Sequence, residues 1–202
     1  MLTLYHSPVS RSTRLIRLAY ELDIMEQLDI RIVSIRRFDG SGQPDSSNPH
    51  PEGKVPLLVH DGEMIWETAA IILYLTDLFP HKRFAPLSGE AKRGSYLSWL
   101  AYYGDVVEPT IVFSRIGLEH PLLHTTFRDF NTVLRRLSSA LSDSAFLLGP
   151  EYSAADLLMS SPFHWFREAI PEDSVVRDWV ERCATRPSMQ AAADFDERQS
   201  AT

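Results

Sequence analysis

The chain has 202 residues, 44% of them hydrophobic and 23% charged, which is enough for one or two domains with a buried core and too apolar for a disordered chain. A formal charge of −7 and a pI near 5.5 exclude a general nucleic-acid binder, which presents a basic face. The single cysteine, Cys183, excludes an intrachain disulfide and a Cys-x-x-Cys redox pair. It stands at helical spacing with Val176, Trp179 and Val180, the setting of a buried structural thiol. No apolar run reaches the ~18 residues that span a bilayer. The start lacks a charged leader followed by an apolar core, so a soluble cytoplasmic protein is expected.

Leu2 to Tyr5 reads as a first strand, and Leu15, Leu18, Ala19 and Leu22 mark an amphipathic helix after it. Ser7, Ser10, Ser12 and Thr13 crowd the turn between them. The alternation Leu28, Ile30, Ile32 supplies a parallel second strand and completes a β-α-β unit. Arg11, Arg14, Arg17, Arg36 and Arg37 form a local basic group, read mostly as solvated positions of which one or two could draw an anion. Residues 39–44 are poor in helix formers and should be irregular.

Leu57 to Val59, the turn signal Asp61-Gly62, and Met64 to Trp66 form a hairpin pattern. Val55-Pro56 stands just before it. A proline cannot donate to a ladder, so the adjoining backbone is left to pair with something extended lying alongside. Glu67 and Thr68 open the next helix. They offer a carboxylate for an ammonium, and a hydroxyl and open amides for a carboxylate, which together suit one zwitterionic α-amino acid end. Taken singly, Thr68 is a helix N-cap and Pro56 an edge-strand proline; the combination points to a ligand. The helix carries Ile71, Tyr74, Leu75 and Leu78 and should end before Pro80.

These signals divide the chain into a first domain over 1–80, a linker over 81–89 and an α-helical domain over 90–202. In the last, Tyr96, Leu100, Tyr103 and Val107 define a long helix that must bend at Pro109, and Leu123, Phe127, Phe130, Leu134, Leu137 and Leu141 define another. His120 and His124 are four apart with Pro121 interrupting the helix between them, and no third ligand completes a metal motif. Ser153 and Asp156 have capping-box spacing, with Tyr152 placed to staple onto Leu157. The role is in folding, and replacing Asp156 as a cap should cost about 1 to 2 kcal/mol.

Val55-Pro56 and Glu67-Thr68, with Leu4-Tyr5-His6-Ser7-Pro8 at the start and Gly149 through Asp156 near the end, resemble the glutathione S-transferase family over nearly the whole chain. The resemblance implies a thioredoxin-like α/β domain followed by an all-α bundle. It also implies a homodimer, no metal, and glutathione as substrate or co-substrate in a detoxifying reaction with a small apolar electrophile. By that resemblance Lys54 would approach the glycine carboxylate of glutathione, Val55 would pair with its cysteinyl backbone, Pro56 would hold the turn, and Glu67 and Thr68 would take the γ-glutamyl end. Thr68 stands where the family more often has Ser, and His50-Pro51-Glu52 departs from its commoner Asn-Pro-x-Gly spacing.

Serine-using members place the sulfur's donor between the first strand and first helix, where Ser10 matches best and Ser12 is second; Ser10 also reads as a helix N-cap. The electrophile would lie between the two domains, against Pro8, Val9 and residues 102–113. Glutathione-dependent isomerisation or dehalogenation, or a non-catalytic carrier or interaction module, are the alternatives on this fold.

Overall fold

The computed structural model describes residues 1–171 and 174–200. The chain forms two units, one of Met1–Lys82 with the segment from Arg186 onward, the other of Arg83–Thr185.

In the first unit, β1 (Leu2–His6), α1 (Thr13–Leu22), β2 (Leu28–Ile32), β3 (Leu57–His60), β4 (Glu63–Trp66) and α2 (Thr68–Leu78) follow in order. The sheet runs β2-β1-β3-β4, with β2 parallel to β1, and β3 antiparallel to both its neighbours. This is the thioredoxin-like arrangement. All five residues of β1 are buried, as befits a central strand covered on both faces. Asp61 and Gly62 have φ of 48° and 91°, the pair of positive values that a two-residue hairpin needs to match strand twist. α1 packs Leu15, Ile16, Leu18, Ala19 and Leu22 inward. Arg14 and Arg17, expected among solvated positions, are also buried, because each sits one residue from that apolar stripe and follows it under the covering structure.

The second unit contains α3 (Arg93–Tyr102), a π-helical turn over Tyr103–Val107, α4 (Glu108–Arg115), α5 (Pro121–Thr126), α6 (Phe130–Leu141), α7 (Ala154–Trp165) and α8 (Val175–Ala184). The disturbance expected at Pro109 is taken up by the π-helical turn before it. Proline has no amide to give and crowds the carbonyl one turn back, and a widened turn relieves both.

The single helix expected from Leu123 to Leu141 is two. Asp129 takes an extended backbone and accepts the Thr132 amide at 2.6 Å, so it caps a new helix in the middle of an unbroken apolar period. Pro121 opens α5 instead of interrupting it, with His120 as N-cap accepting the Leu122 amide through Nδ1 at 3.1 Å. α7 is buried on every side from Ala154 to Phe163, the mark of a central helix.

The capping box at its start forms, and Asp156 reaches further than the box. Its carboxylate accepts the Ser153 amide at 3.1 Å, the Ser153 hydroxyl at 2.7 Å, the Leu147 amide at 2.8 Å and the Trp179 indole N–H at 2.9 Å. Tyr152 packs its ring on Phe84 and Phe146. Cys183 is fully buried.

The last helix, α9 (Pro187–Ser200), belongs to the first unit and runs antiparallel to α1. At one end Arg186 grips Glu21 through Nε at 3.0 Å and Nη2 at 2.6 Å, and Ser188 donates to the same carboxylate at 2.6 Å. At the other, Asp196 meets Thr13. Ser188, Ala192 and Asp196, spaced by four, are its buried residues, a narrow stripe of small groups that lets two helices approach closely. Among the described residues no helix is long and apolar enough to cross a membrane, and no three His, Cys, Asp or Glu side chains form a metal cluster.

Candidate functional site

Strand register decides which sequence motifs meet. Tyr5 pairs with Leu57, and Leu57 pairs with Trp66. The loop leaving β1, the Val55-Pro56 step entering β3 and the Glu67-Thr68 step leaving β4 therefore lie at one end of the sheet, where α1 and α2 also begin. Two strand spacings of ~4.8 Å separate the outer members, so the three cover about 10 Å, the reach of a tripeptide at ~3.3 to 3.6 Å per residue.

Each motif is held by identifiable contacts. The Val55–Pro56 bond is cis; Pro56 is buried, and Val55 packs on the cluster of Tyr5, Val33 and Leu57. Lys54 is exposed, its carbonyl accepting the Asn48 side-chain amide at 3.0 Å, while Asn48 Oδ1 accepts the His50 amide at 3.1 Å. Buried Asn48 thus suspends the loop leading to β3. Glu67 is exposed with φ 67° and ψ 126°, a conformation that costs a non-glycine residue about 1 to 3 kcal/mol. Thr68 is largely buried at the first turn of α2, where the opening amides have no intrahelical acceptor.

The loop from Ser7 to Ser12 is the most constrained part of the site. Val9, a β-branched residue, has φ 52° and is a conformational outlier. Its amide donates to Asp196 Oδ2 at 2.6 Å, and Arg37 clamps the same stretch by donating to the carbonyls of Pro8 at 2.7 Å and Val9 at 3.0 Å. Arg37 is therefore a structural clamp of this loop.

Of the two candidate hydroxyls, Ser12 is fully buried and Ser10 half-buried, so Ser10 is the one that a ligand at this end can reach. Ser10 Oγ lies 2.7 Å from Ser12 Oγ and 2.7 Å from the Ser7 carbonyl, and accepts the Ser12 amide at 3.1 Å. Ser12 Oγ in turn lies 2.7 Å from His6 Nδ1 and accepts the Ser7 amide at 3.1 Å. His6 Nε2 is 3.0 Å from Asp196 Oδ1. Burial alone would push the Asp196 carboxyl up, but hydrogen bonds from His6, Thr13 and the Val9 amide outweigh it and hold the group below the usual carboxylate range.

His6, Asp196 and Asn48 have no individual role in the site from sequence reasoning, and Arg37 figures there only in the basic group of which one or two could draw an anion. His6 had a weak signal as a polar residue ending a wholly buried strand. Asp196 had none, since its partners lie at the other end of the chain. A separate cavity of about 570 Å³ in the second unit is lined by residues such as Arg83, Phe84, Leu148 and Tyr152, and its lining includes none of Ser10, Ser12, Lys54, Val55, Pro56, Glu67 and Thr68.

Comparison with known proteins finds similarity to glutathione S-transferases in sequence and fold. Residues 4–83 match the model of the glutathione S-transferase N-terminal domain. Glutathione S-transferase 3 of Schizosaccharomyces pombe is 24% identical, over all of this chain and 90% of its own length. A glutathione transferase of Methylococcus capsulatus is 26% identical, with a TM-score of 0.74 covering 98% of this chain and all of that one. A sphingomonad glutathione S-transferase solved with glutathione is 23% identical, with a TM-score of 0.72 over 96% and 98% of the two chains.

Proposed function

Because this chain belongs to the glutathione S-transferase family, we propose that it binds glutathione at this end of the first unit's sheet, ionises its thiol and delivers the thiolate to a small apolar electrophile. The observation that supports the reading is the register that brings the Val55-Pro56 step, the Glu67-Thr68 step and the loop leaving β1, which carries Ser10, to one end of the sheet. Glutathione lies extended along the backbone of Val55, ahead of Pro56. Its γ-glutamyl ammonium meets Glu67, its α-carboxylate meets the Thr68 hydroxyl and the α2 amides, and Lys54 faces the glycine carboxylate.

The thiol comes to the start of α1. A free thiol near pKa 8.5 is only a few per cent ionised at neutral pH, and the helix end with the Ser10 hydroxyl favours the anion. Titration with glutathione, followed by thiolate ultraviolet absorbance across pH, tests this: saturable binding with the thiol pKa lowered by about one unit or more is expected, and absence of binding overturns it.

Glu67 offers a sharper check, because its strained backbone and its carboxylate pull in opposite directions. Glu67→Gly should raise stability by about 1 kcal/mol in thermal melts by releasing the positive φ. It should also weaken glutathione binding about tenfold or more by removing a charge-assisted hydrogen bond. Unchanged affinity would remove Glu67 from the ammonium site. The proposed setting is the cytoplasm and the proposed assembly a twofold dimer, for which light scattering after size exclusion at micromolar concentration should give twice the 23.0 kDa chain mass; a clean monomer would refute it.

A further inference from the structure

The chain Asp196, His6, Ser12, Ser10 begins on a carboxylate, ends on the half-buried hydroxyl and is continuous at hydrogen-bond distance, with steps of 3.0, 2.7 and 2.7 Å. A carboxylate only accepts, so His6 Nε2 carries the hydrogen that faces Asp196, and Nδ1 of the neutral ring accepts from the Ser12 hydroxyl. Ser12 spends its one hydrogen on His6, and its oxygen is open to the Ser10 hydrogen. The Ser10 hydroxyl has two acceptors at 2.7 Å, Ser12 Oγ and the Ser7 carbonyl, and Ser12 Oγ has the Ser7 carbonyl at 3.2 Å besides His6; with both hydrogens turned along the chain, each hydroxyl points inward, toward the imidazole.

That polarity suits the removal of a proton from whatever thiol sits on Ser10. Resting on the glutathione reading above, we propose that His6, held by Asp196, is the terminus of a proton relay that takes up the thiol hydrogen through Ser10 and Ser12 and keeps it inside the protein.

In the step, the thiol S–H bond breaks and its proton passes to Ser10 Oγ. The hydrogen of Ser10 passes to Ser12 Oγ and that of Ser12 to His6 Nδ1. The electron pair of the S–H bond stays on sulfur, and the products are a thiolate and an imidazolium.

The charge balance of the helix end supports the step. Asp196 already places one anion at the start of α1, accepting from Thr13 Oγ1 and the Val9 amide at 2.6 Å each. A thiolate arriving at the same end would be a second anion repelled by the first. With the proton on His6, the Asp196–His6 pair becomes neutral overall and the helix end serves the sulfur alone. Around His6 the structure gives Asp196 as the facing charge, the Phe195 ring at 5.8 Å between centroids and the Ser12 hydroxyl. Arg37 is directed at the loop carbonyls beyond it. Asp196 and His6 touch no substrate and are positioning residues; Ser10 is the group at the reacting atom.

The experiment measures protons released when glutathione binds the wild-type protein near neutral pH, by calorimetry in buffers of differing ionisation enthalpy, with thiolate absorbance read on the same samples. The relay predicts thiolate formation with close to no proton released. It also predicts that Asp196→Asn, whose amide can donate to His6 Nε2 and reverse the ring tautomer, and Ser12→Ala, which cuts the chain, release close to one proton per thiolate formed. Thiolate formation in the wild type with about one proton released overturns the relay and leaves the glutathione reading standing. Binding without any thiolate also overturns the relay, since no proton has moved. No binding at all overturns the glutathione reading itself, and the relay with it. Both variants are checked for folding by circular dichroism, and the wild-type result decides the question without them.

Discussion

Replacing Ser10 by alanine should lower kcat about 100-fold, the scale of losing one preorganised donor to a developing anion, while glutathione affinity changes little. The thiol pKa of bound glutathione should rise toward the free value near 8.5, which separates loss of the donor from loss of fold. The contrast with Ser12→Ala is informative, because the two hydroxyls touch each other and differ in what else they hold. Ser12 is buried and takes the Ser7 amide as well as His6, so its removal strands a buried donor and should cost about 1 to 3 kcal/mol of stability. Ser10 is half-buried where Ser12 is buried, so its removal should cost less stability. An unchanged rate constant for chemistry in Ser10→Ala, with the mutant folded, would show that another group meets the sulfur.

The difference in how far each residue could be read from sequence has a physical origin. The β-α-β unit and the hairpin follow from local period and from Asp61-Gly62, and their register then brings Pro56 and Glu67 together without further information. Arg14 and Arg17 were misjudged because charge says nothing about what covers a helix face. The split before α6 was hidden because Asp129 interrupts the backbone while the apolar spacing continues through it. Asp196 lay beyond reach for a different reason: its position follows only once α9 is known to return to α1, and Ser188, Ala192 and Asp196 give a stripe too short and too polar to announce a partner. Local periodicity therefore exposed the parts of the site that sit on the sheet. The buried polar support behind Ser10 depends on a contact between the two ends of the chain.

Asp156→Ala should be the most destabilising of the substitutions considered, at about 3 to 5 kcal/mol. A helix cap alone predicts about 1 to 2 kcal/mol, and the structure raises the figure because four donors converge on one buried carboxyl, among them the Leu147 amide and the Trp179 indole outside the capping box. Alanine leaves them with no acceptor. At roughly 2 to 4 °C per kcal/mol for a chain of this size, the melting temperature should fall by about 10 °C. Ser153→Ala removes one hydroxyl donor from the same carboxyl and should cost only about 1 kcal/mol. Equal losses from the two substitutions would mean that Asp156 is a cap and nothing more.

Asp156→Asn adds a pH test. Burial pushes the Asp156 carboxyl up, and the hydrogen bonds from Leu147, Ser153 and Trp179 only partly offset it, leaving it above its usual range. A folded value above the unfolded one means that the folded state holds the proton longer. The wild type's stability then declines as pH rises from the unfolded carboxylate range, near 3.9, through the folded value. Asparagine does not titrate. The stability advantage of wild type over Asp156→Asn should therefore be largest in acid and shrink as pH rises, and an advantage that grows with pH would show that the donors, not burial, govern this carboxyl.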